Sequence, residues 1–398
     1  MIHALFATET RHITPPKLQN ANIGKKVVCY RPMRHPIPNF SLEKNNGKTL
    51  IHNYGHGGSG WSLAPGSVDY CVSLLFTDRP LTDLHMPIAI VGSGCIGLFT
   101  AYKLLEKGFT DITLYSDSFD DLTSHYAGGL LSMRAFGDSP ELHELFVHIG
   151  CESYRFYKKI AEGMDKEFKA GASLLPTYVL NHEQSELEVF VGKVMEPAKK
   201  VVLDFGNGVT RQMLAYDDSI FIDTGLMMEL LTNLLKNRVT FVKKEIREFS
   251  DLDESIIFNC TGMGSRKLNH DNLLEPVQGH LVFLENQDPK ELQYMMIMDW
   301  NEGVTSANQR ISRTLDFFPK RFPDAPATSV GVLGGTFICG ADETTPNDDE
   351  FELIHERAYN FFYTQSDSIT DTVHMLKRTT DDIDDPDSDG ENNNESRR

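Results

Sequence analysis

The chain has 398 residues, 40% of them apolar and 24% charged, which is enough for two domains and a substantial core. With 57 acidic against 38 basic residues, the formal charge of -19 excludes a broad cationic face for nucleic acid. Cys29, Cys71, Cys95, Cys151, Cys260 and Cys339 show no paired spacing, which fits reduced thiols in a cytoplasmic protein rather than a disulfide framework or a zinc site.

Residues 1–24 hold charges, prolines and no continuous apolar stretch, so neither a signal peptide nor a membrane span is expected, and they read as an N-terminal extension. From Val27 the pattern predicts a strand, a loop, a second strand over Thr49–His52, a glycine-rich turn and a helix beginning near Pro65-Gly66 and ending near Phe76. Thr77–Met86 reads as a linker of about ten residues, able to reach roughly 33 Å if extended.

Ile88–Val91 is a short apolar run suited to a strand buried on both faces. It leads into Gly92-Ser93-Gly94-Cys95-Ile96-Gly97, followed by helical periodicity over Ile96, Phe99, Thr100, Leu104 and Leu105 and a stop at Lys107-Gly108. In such a turn Gly92 permits the bend, Gly94 lets backbone approach a pyrophosphate, and Gly97 lets helix and strand pack closely. A second strand, Asp111–Tyr115, delivers Asp117 about 20 residues beyond the last glycine, the spacing of an acid that binds a ribose hydroxyl. Strand, turn, helix, strand and acid in that order point to a dinucleotide, without separating FAD from NAD.

Ser139-Pro140-Glu141 supplies a cap, an N1 proline and an acidic first turn for a helix through Tyr157, and Asp223 caps another over Leu226–Leu235. Ser255–Asn259 reads as a strand ending in the small-residue turn Cys260-Thr261-Gly262, and a helix is expected over Glu350–Tyr363. Residues 365–398 read as an acidic, largely disordered tail. Asp384, Asp385, Asp387, Asp389 and Glu391 there lack the spacing and flanking helices of a calcium loop.

Tyr30-Arg31-Pro32-Met33-Arg34 and Ile51-His52-Asn53-Tyr54-Gly55-His56-Gly57-Gly58-Ser59-Gly60 closely resemble the C-terminal part of the D-amino-acid oxidase family of FAD enzymes. From Pro87 onward the chain resembles the rest of that family in its usual order, through Leu122-Thr123-Ser124, Ala127-Gly128-Gly129-Leu130, Ile257–Gly262, Gln278–Leu281 and Val332–Thr336. Each segment occurs once in rotated order, which reads as a circular permutation. A domain swap, with residues 1–80 completing a neighbouring copy, is the alternative.

The resemblance implies FAD as cofactor, with contacts from Gly92, Ser93, Gly94, Cys95, Ile96, Gly97, Asp117, Ser118, Thr123, Ser124, Gly128, Gly129, Leu130, Ile246 and Thr261, and from the turn Gly57, Gly58, Ser59, Gly60, Trp61 and Ser62. Glycines in that turn leave backbone amides free to approach a planar ring, and the next helix would point its positive end there. Arg31 matches the arginine that clamps a substrate carboxylate, for which a planar fork of donors is suited. Arg34, on the opposite strand face, is the lesser candidate. His56 reads as a structural residue rather than a base. The implied reaction is hydride transfer from the substrate Cα to flavin N5 with reoxidation by oxygen, for which no protein base is required. Ser312 and Asp316 stand where the family carries substrate-facing tyrosines. Asp316 either faces the pocket, favouring a substrate with a second or N-alkylated amino group, or pairs with Arg310 or Arg313.

The expected fold is α/β, a Rossmann-like FAD-binding domain (39–135 and 223–270) with a mixed-sheet substrate domain (25–38, 136–222 and 271–364) in circularly permuted order. The expected function is oxidation of the CH–N bond of an amino acid or related amine. A dehydrogenase using another acceptor and a non-catalytic flavin-binding protein are the alternatives. The partners expected are the small-molecule substrate and molecular oxygen, with neither nucleic acid nor membrane, and a homodimer is left open.

Overall fold

The computed structural model describes residues 9–78, 83–133, 139–180, 185–304, 309–321, 325–341 and 347–365. The chain opens with β1 (Glu9–His12), β2 (Ile23–Arg34), β3 (Asn39–Asn45), β4 (Lys48–Tyr54) and α1 (Gly60–Asp78). Next come β5 (Ile88–Val91), α2 (Cys95–Glu106), β6 (Ile112–Ser116), α3 (Thr123–Tyr126), α4 (Pro140–Ala161), β7 (Ala172–Leu174) and β8 (Thr177–Val179). β9 (Lys199–Asp204), β10 (Thr210–Tyr216), β11 (Ile220–Ile222), α5 (Thr224–Leu235), β12 (Thr240–Lys243), β13 (Ile256–Asn259) and α6 (Ser265–Leu268) follow. The described chain closes with β14 (Leu274–Leu284), β15 (Met295–Val304), β16 (Arg310–Arg321), β17 (Val330–Cys339) and α7 (Asp348–Tyr363).

Two large sheets organise these elements. A six-stranded sheet runs β12-β6-β5-β13-β4-β3, and a nine-stranded sheet runs β1-β9-β10-β8-β15-β16-β17-β14-β2. In the first, β5 and β4 flank β13 in parallel and β3 closes the edge antiparallel to β4. β5 and β13 are buried at every position, as strands covered on both faces must be. In the second, β2 runs antiparallel along β14 over most of its length. Residues 23–78 therefore supply strands to both sheets.

The fingerprint folds as its sequence pattern predicts. β5 enters a turn where Gly92 has φ +107°, and Gly97 meets the Gly92 carbonyl so closely that any Cβ would collide with it. Ser139 caps α4 by accepting from the Leu142 amide at 3.3 Å, and Asp223 caps α5 from the Leu226 amide at 3.2 Å.

Three expectations need correction. Residues 9–24 do not stand ahead of the fold: β1 pairs with β9, Leu18 is buried, and Tyr294 and Tyr363 donate to the Thr14 and Pro16 carbonyls. α1 begins at Gly60 rather than near Pro65, so Pro65 lies inside the helix. A proline there leaves the Trp61 carbonyl without its helical donor, and the Tyr157 hydroxyl of α4 donates to it at 3.0 Å instead. α4 packs along α1 and places Phe146, Tyr154 and Tyr157 in a core cluster that draws on both sheets. It also runs to Ala161, beyond Tyr157. The acidic tail from 366, the first eight residues and linker residues 79–82 lie outside the described residues. Among the described residues no helix is long and apolar enough to cross a membrane.

Gly66 of α1 faces α4, where its amide donates to Ser153 Oγ at 3.0 Å and a Cβ would collide with the Ile149 backbone. Gly66→Ala should therefore push the two helices apart and cost about 1–3 kcal/mol, read as a lowered urea midpoint. An unchanged midpoint would contradict this approach distance.

Candidate active site

Three turns leave the six-stranded sheet side by side, because β5, β13 and β4 are adjacent and parallel. Gly92–Gly97 follows β5, Cys260-Thr261-Gly262 follows β13, and Gly55–Gly60 follows β4. Such an edge, outside the carboxyl ends of parallel strands, is where open α/β sheets take ligands. The turns line one cavity of about 2170 Å³, whose walls also include Asp117 and Ile246 on the β6/β12 side and Arg31 and Asp316 from the nine-stranded sheet.

Within the fingerprint, Ser93 is buried and its hydroxyl bonds to Ser116 Oγ at 2.9 Å and donates to the Ser118 carbonyl at 2.7 Å, fixing the end of β6. Asp117 is exposed there. Gly94 is the residue before α2, and the Cys95 amide donates to Ser124 Oγ at 3.0 Å. Cys95 is buried, and burial pushes its thiol up to about 11, so it is not a nucleophile. Thr261 bonds to Asn259 and Ser265, and Ile246 packs against the apolar cluster under β13.

On the other side of the cavity the segment around Gly128-Gly129-Leu130 is shaped by its neighbours. A Cβ on Gly128 would lie 2.5 Å from the Phe318 ring, and Gly129 has φ +100° with the Ile222 carbonyl against it. Thr123 donates to the Tyr30 carbonyl at 3.1 Å, Trp61 Nε1 to the Ser124 carbonyl at 2.9 Å, and Ser62 Oγ to the Leu130 carbonyl at 3.4 Å. α1 begins directly after Gly57-Gly58-Ser59, so its positive end lies at the glycine turn itself rather than five residues further on. His56 is buried, and burial pushes its pKa down to about 3; the ring stays neutral, 3.3 Å from Ser67 Oγ, in a structural role.

The nine-stranded sheet forms the remaining wall. On β2, Arg31 points into the cavity beside Gly58 and makes no ion pair among the described residues. Its Nη1 donates to the Thr336 carbonyl at 2.9 Å, and its guanidinium lies 4.0 Å from the Phe337 ring centre. A Cβ on Gly279 would sit 2.5 Å from Nη1, so β14 leaves room there for the guanidinium to lie across the sheet. Arg34 is turned away, donating to Asp271 at 2.7 Å and to the Ile37 carbonyl.

β16 alternates. Ser312, Thr314, Asp316 and Phe318 face the cavity, while Leu315 and Phe317 pack in the cluster with α7 and Arg313 reaches Glu350 of α7 at 2.6 Å. Arg313 is thereby taken by Glu350, and Arg310 reaches Cys339, so neither pairs with Asp316. Asp316 is buried with Oδ1 lacking any partner, and burial pushes its carboxyl up to about 7, against the pull of Thr314 and Arg31. Thr314 carries no motif and was not expected at the site; the period of two counted from Asp316 is the signal that places it on the same face. Lys320 is fully buried, and its Nζ donates to the His125 and Ala127 carbonyls at 2.7 and 2.8 Å and to Thr224 Oγ1.

The family model DAO, FAD dependent oxidoreductase, matches residues 87–384. A D-amino-acid oxidase of Dictyostelium discoideum is 25% identical over 279 residues, covering 68% of this chain and 71% of its own length. A D-aspartate oxidase of Homo sapiens is 27% identical over 213 residues, covering 49% of this chain and 58% of its own. Among solved structures, glycine oxidase from Bacillus cereus ATCC 14579 superposes with a TM-score of 0.48 at 16% identity, over 69% of this chain and 79% of that one.

A buried carboxyl whose folded pKa lies near 7 rather than 3.8 costs nothing while protonated in both states. The penalty grows as pH rises from about 4 to 7, where the unfolded chain ionises and the folded one resists. Asp316→Asn should thus stabilise the protein by about 1–3 kcal/mol at pH 8 and have little effect at pH 4, seen as a pH-dependent gap between thermal melts. Equal gaps at both pH values would contradict the burial of an unpaired carboxyl.

Proposed function

The chain belongs to the DAO family of FAD dependent oxidoreductases, and from that premise we propose that it oxidises the CH–N bond of an amino acid or related amine. The observation that carries this reading is Arg31, a cavity-facing guanidinium without an ion pair among the described residues, beside Gly58 in the cavity that also holds the fingerprint. A fork of donors with one arm fixed on Thr336 suits a carboxylate arriving from the open side.

The residues present fit FAD. Three glycine-bearing turns present backbone at one sheet edge, and the collision that awaits any Cβ at Gly97 marks close helix–strand packing at the fingerprint. Gly92, Ser93, Gly94, Cys95, Ile96 and Gly97 would hold the pyrophosphate, Asp117 and Ser118 the ribose, and Thr123, Ser124, Gly128, Gly129, Leu130, Ile246 and Thr261 the rest of the nucleotide side. Gly57 to Ser62 would lie against the flavin ring, with the start of α1 favouring negative charge there. When bound, the cofactor supplies the acceptor for the hydride leaving the substrate Cα, and oxygen is its reoxidant in this reading. The protein's own work is orientation. Arg31 fixes the carboxylate, the Phe337 ring fixes Arg31, and apolar walls including Leu281, Ile297 and Phe318 limit water.

The rotated chain order belongs to the same proposal. β2, β3, β4 and α1 all precede residue 87, where the family match begins, yet they fill both sheets of a single chain.

Anaerobic mixing of the flavin-loaded protein with a panel of D- and N-methyl amino acids should bleach the flavin with at least one member, and admitting air should restore its colour. Bleaching without recovery in air would point to another acceptor, and no bleaching across the panel would refute oxidation of amino acids. Arg31→Ala should raise KM for carboxylate substrates about a hundredfold with FAD still bound. An unchanged KM would remove Arg31 from the substrate site.

A further inference from the structure

Two charges of opposite sign lie on one face of the nine-stranded sheet without touching. Arg31 comes from β2 and Asp316 from β16, with β14 and β17 between them, and both cross toward Gly335 of β17. The point where a Gly335 Cβ would stand is 2.9 Å from Asp316 Oδ2, 3.4 Å from Thr314 Oγ1 and 3.8 Å from Arg31 Nη2. The acid and the guanidinium are thus close neighbours, yet no ion pair joins them. Gly279 and Gly335 keep the sheet surface between them bare. Asp316 Oδ1 and Thr314 Oγ1 are both buried, and neither has a hydrogen-bond partner.

A buried acceptor and a buried hydroxyl without partners, beside a guanidinium without an ion pair, are costly by themselves, and a ligand that carries both signs of charge would satisfy them. Resting on the amino-acid reading above, we propose that Arg31 and Asp316, with Thr314, form a charge-balanced subsite that takes a zwitterion, carboxylate on Arg31 and ammonium on Asp316 and Thr314. The short gap between the two charges matches the head group of an α-amino acid rather than a cation at the end of a long side chain. A simple monoanion would meet Arg31 but leave Asp316 facing like charge, so the subsite discriminates by net charge rather than by shape.

The discrimination depends on pH. The charged groups facing Asp316 are Arg31 from β2, Asp299 from β15 and Glu186 from the segment before Glu188–Phe190, the last two opposing its ionisation and the first favouring it. Burial is the largest influence and holds the carboxyl neutral until about pH 7. Below that pH a neutral Asp316 tolerates a monoanion, and above it repels one.

Propanoate and D-alanine differ only by the α-ammonium, and calorimetric titration of the flavin-loaded protein reads their binding without turnover when air is excluded and D-alanine is tested under reduced flavin. Propanoate affinity should fall at least about tenfold between pH 6 and pH 8.5 in the wild-type protein, a measurement that needs no variant. In Asp316→Asn it should stay flat and exceed the wild-type value at pH 8.5, while D-alanine binds more weakly than to wild type. Propanoate binding that is flat with pH in the wild-type protein, or equal in the two proteins at pH 8.5, overturns the charge-balanced subsite and leaves the oxidoreductase reading standing. Failure of the amino-acid panel to bleach the flavin removes that reading instead, whatever propanoate does.

Discussion

The parallel pairing of β4 with β13 is the contact on which the site depends. β13 already carries β5 on its other side, so adding β4 brings the Gly55–Gly60 turn level with the fingerprint and with Cys260–Gly262. The registers Ile256↔Thr49 and Ile256↔Ile88 put β4 and β5 in step across β13, and their exits share one edge. Parallel strands need long crossovers, and residues between 54 and 256 meet that need with helices α1, α2 and α5 packed on the sheet. A one-residue slip of β4 would turn Leu50 and Ile51 to opposite faces and displace the glycine turn with them.

The second sheet contributes chemistry through alternation and through absent side chains. Along β16, Ser312, Thr314, Asp316 and Phe318 line the cavity, whereas Leu315 and Phe317 pack with α7 and Arg313 forms an ion pair with Glu350. Gly279 and Gly335 clear the face on which Arg31 and Asp316 lie, so two strands contribute by what they lack. Toward α7 Arg313 and Glu350 are paired while Arg357 Nε and Nη1 are buried without hydrogen-bond partners, and toward the cavity Asp316 Oδ1 and Thr314 Oγ1 are unpaired as well. Unpaired buried groups are expensive, because each loses its hydration without a replacement hydrogen bond.

Between the sheets, buried polar contacts hold irregular backbone in place. Lys320 gathers the His125 and Ala127 carbonyls and Thr224 Oγ1, and Thr224 itself donates to the Ala127 carbonyl at 3.0 Å. That anchors the chain leaving α3 just before Gly128 and Gly129. Burial pushes Lys320 down to about 7, and neutral acceptors rather than a carboxylate surround its nitrogen. Tyr157 plays a similar part for α1, where its hydroxyl supplies the donor that Pro65 lacks.

Patterns confined to a few neighbouring residues were legible in the chain before folding. Gly92–Gly97 with its flanking strands, the Ser139 and Asp223 caps and the buried runs of β5 and β13 each depend on spacing along one segment, and the physics that shapes them is local, whereas Arg31 and the glycine turn after β4 were marked by family resemblance. The start of α1 was not legible, because Pro65 argues locally against a helix and its remedy is a tyrosine 92 residues away. The packing of residues 9–24, the partnership of Arg313 with Glu350 and the isolation of Asp316 were likewise decided by which strands lie side by side. Sequence determined what each segment could become and which turns could approach a cofactor. Tertiary structure decided which charges were neutralised and which were left facing the cavity, because pairing energy depends on distance through space and the chain specifies only distance along itself.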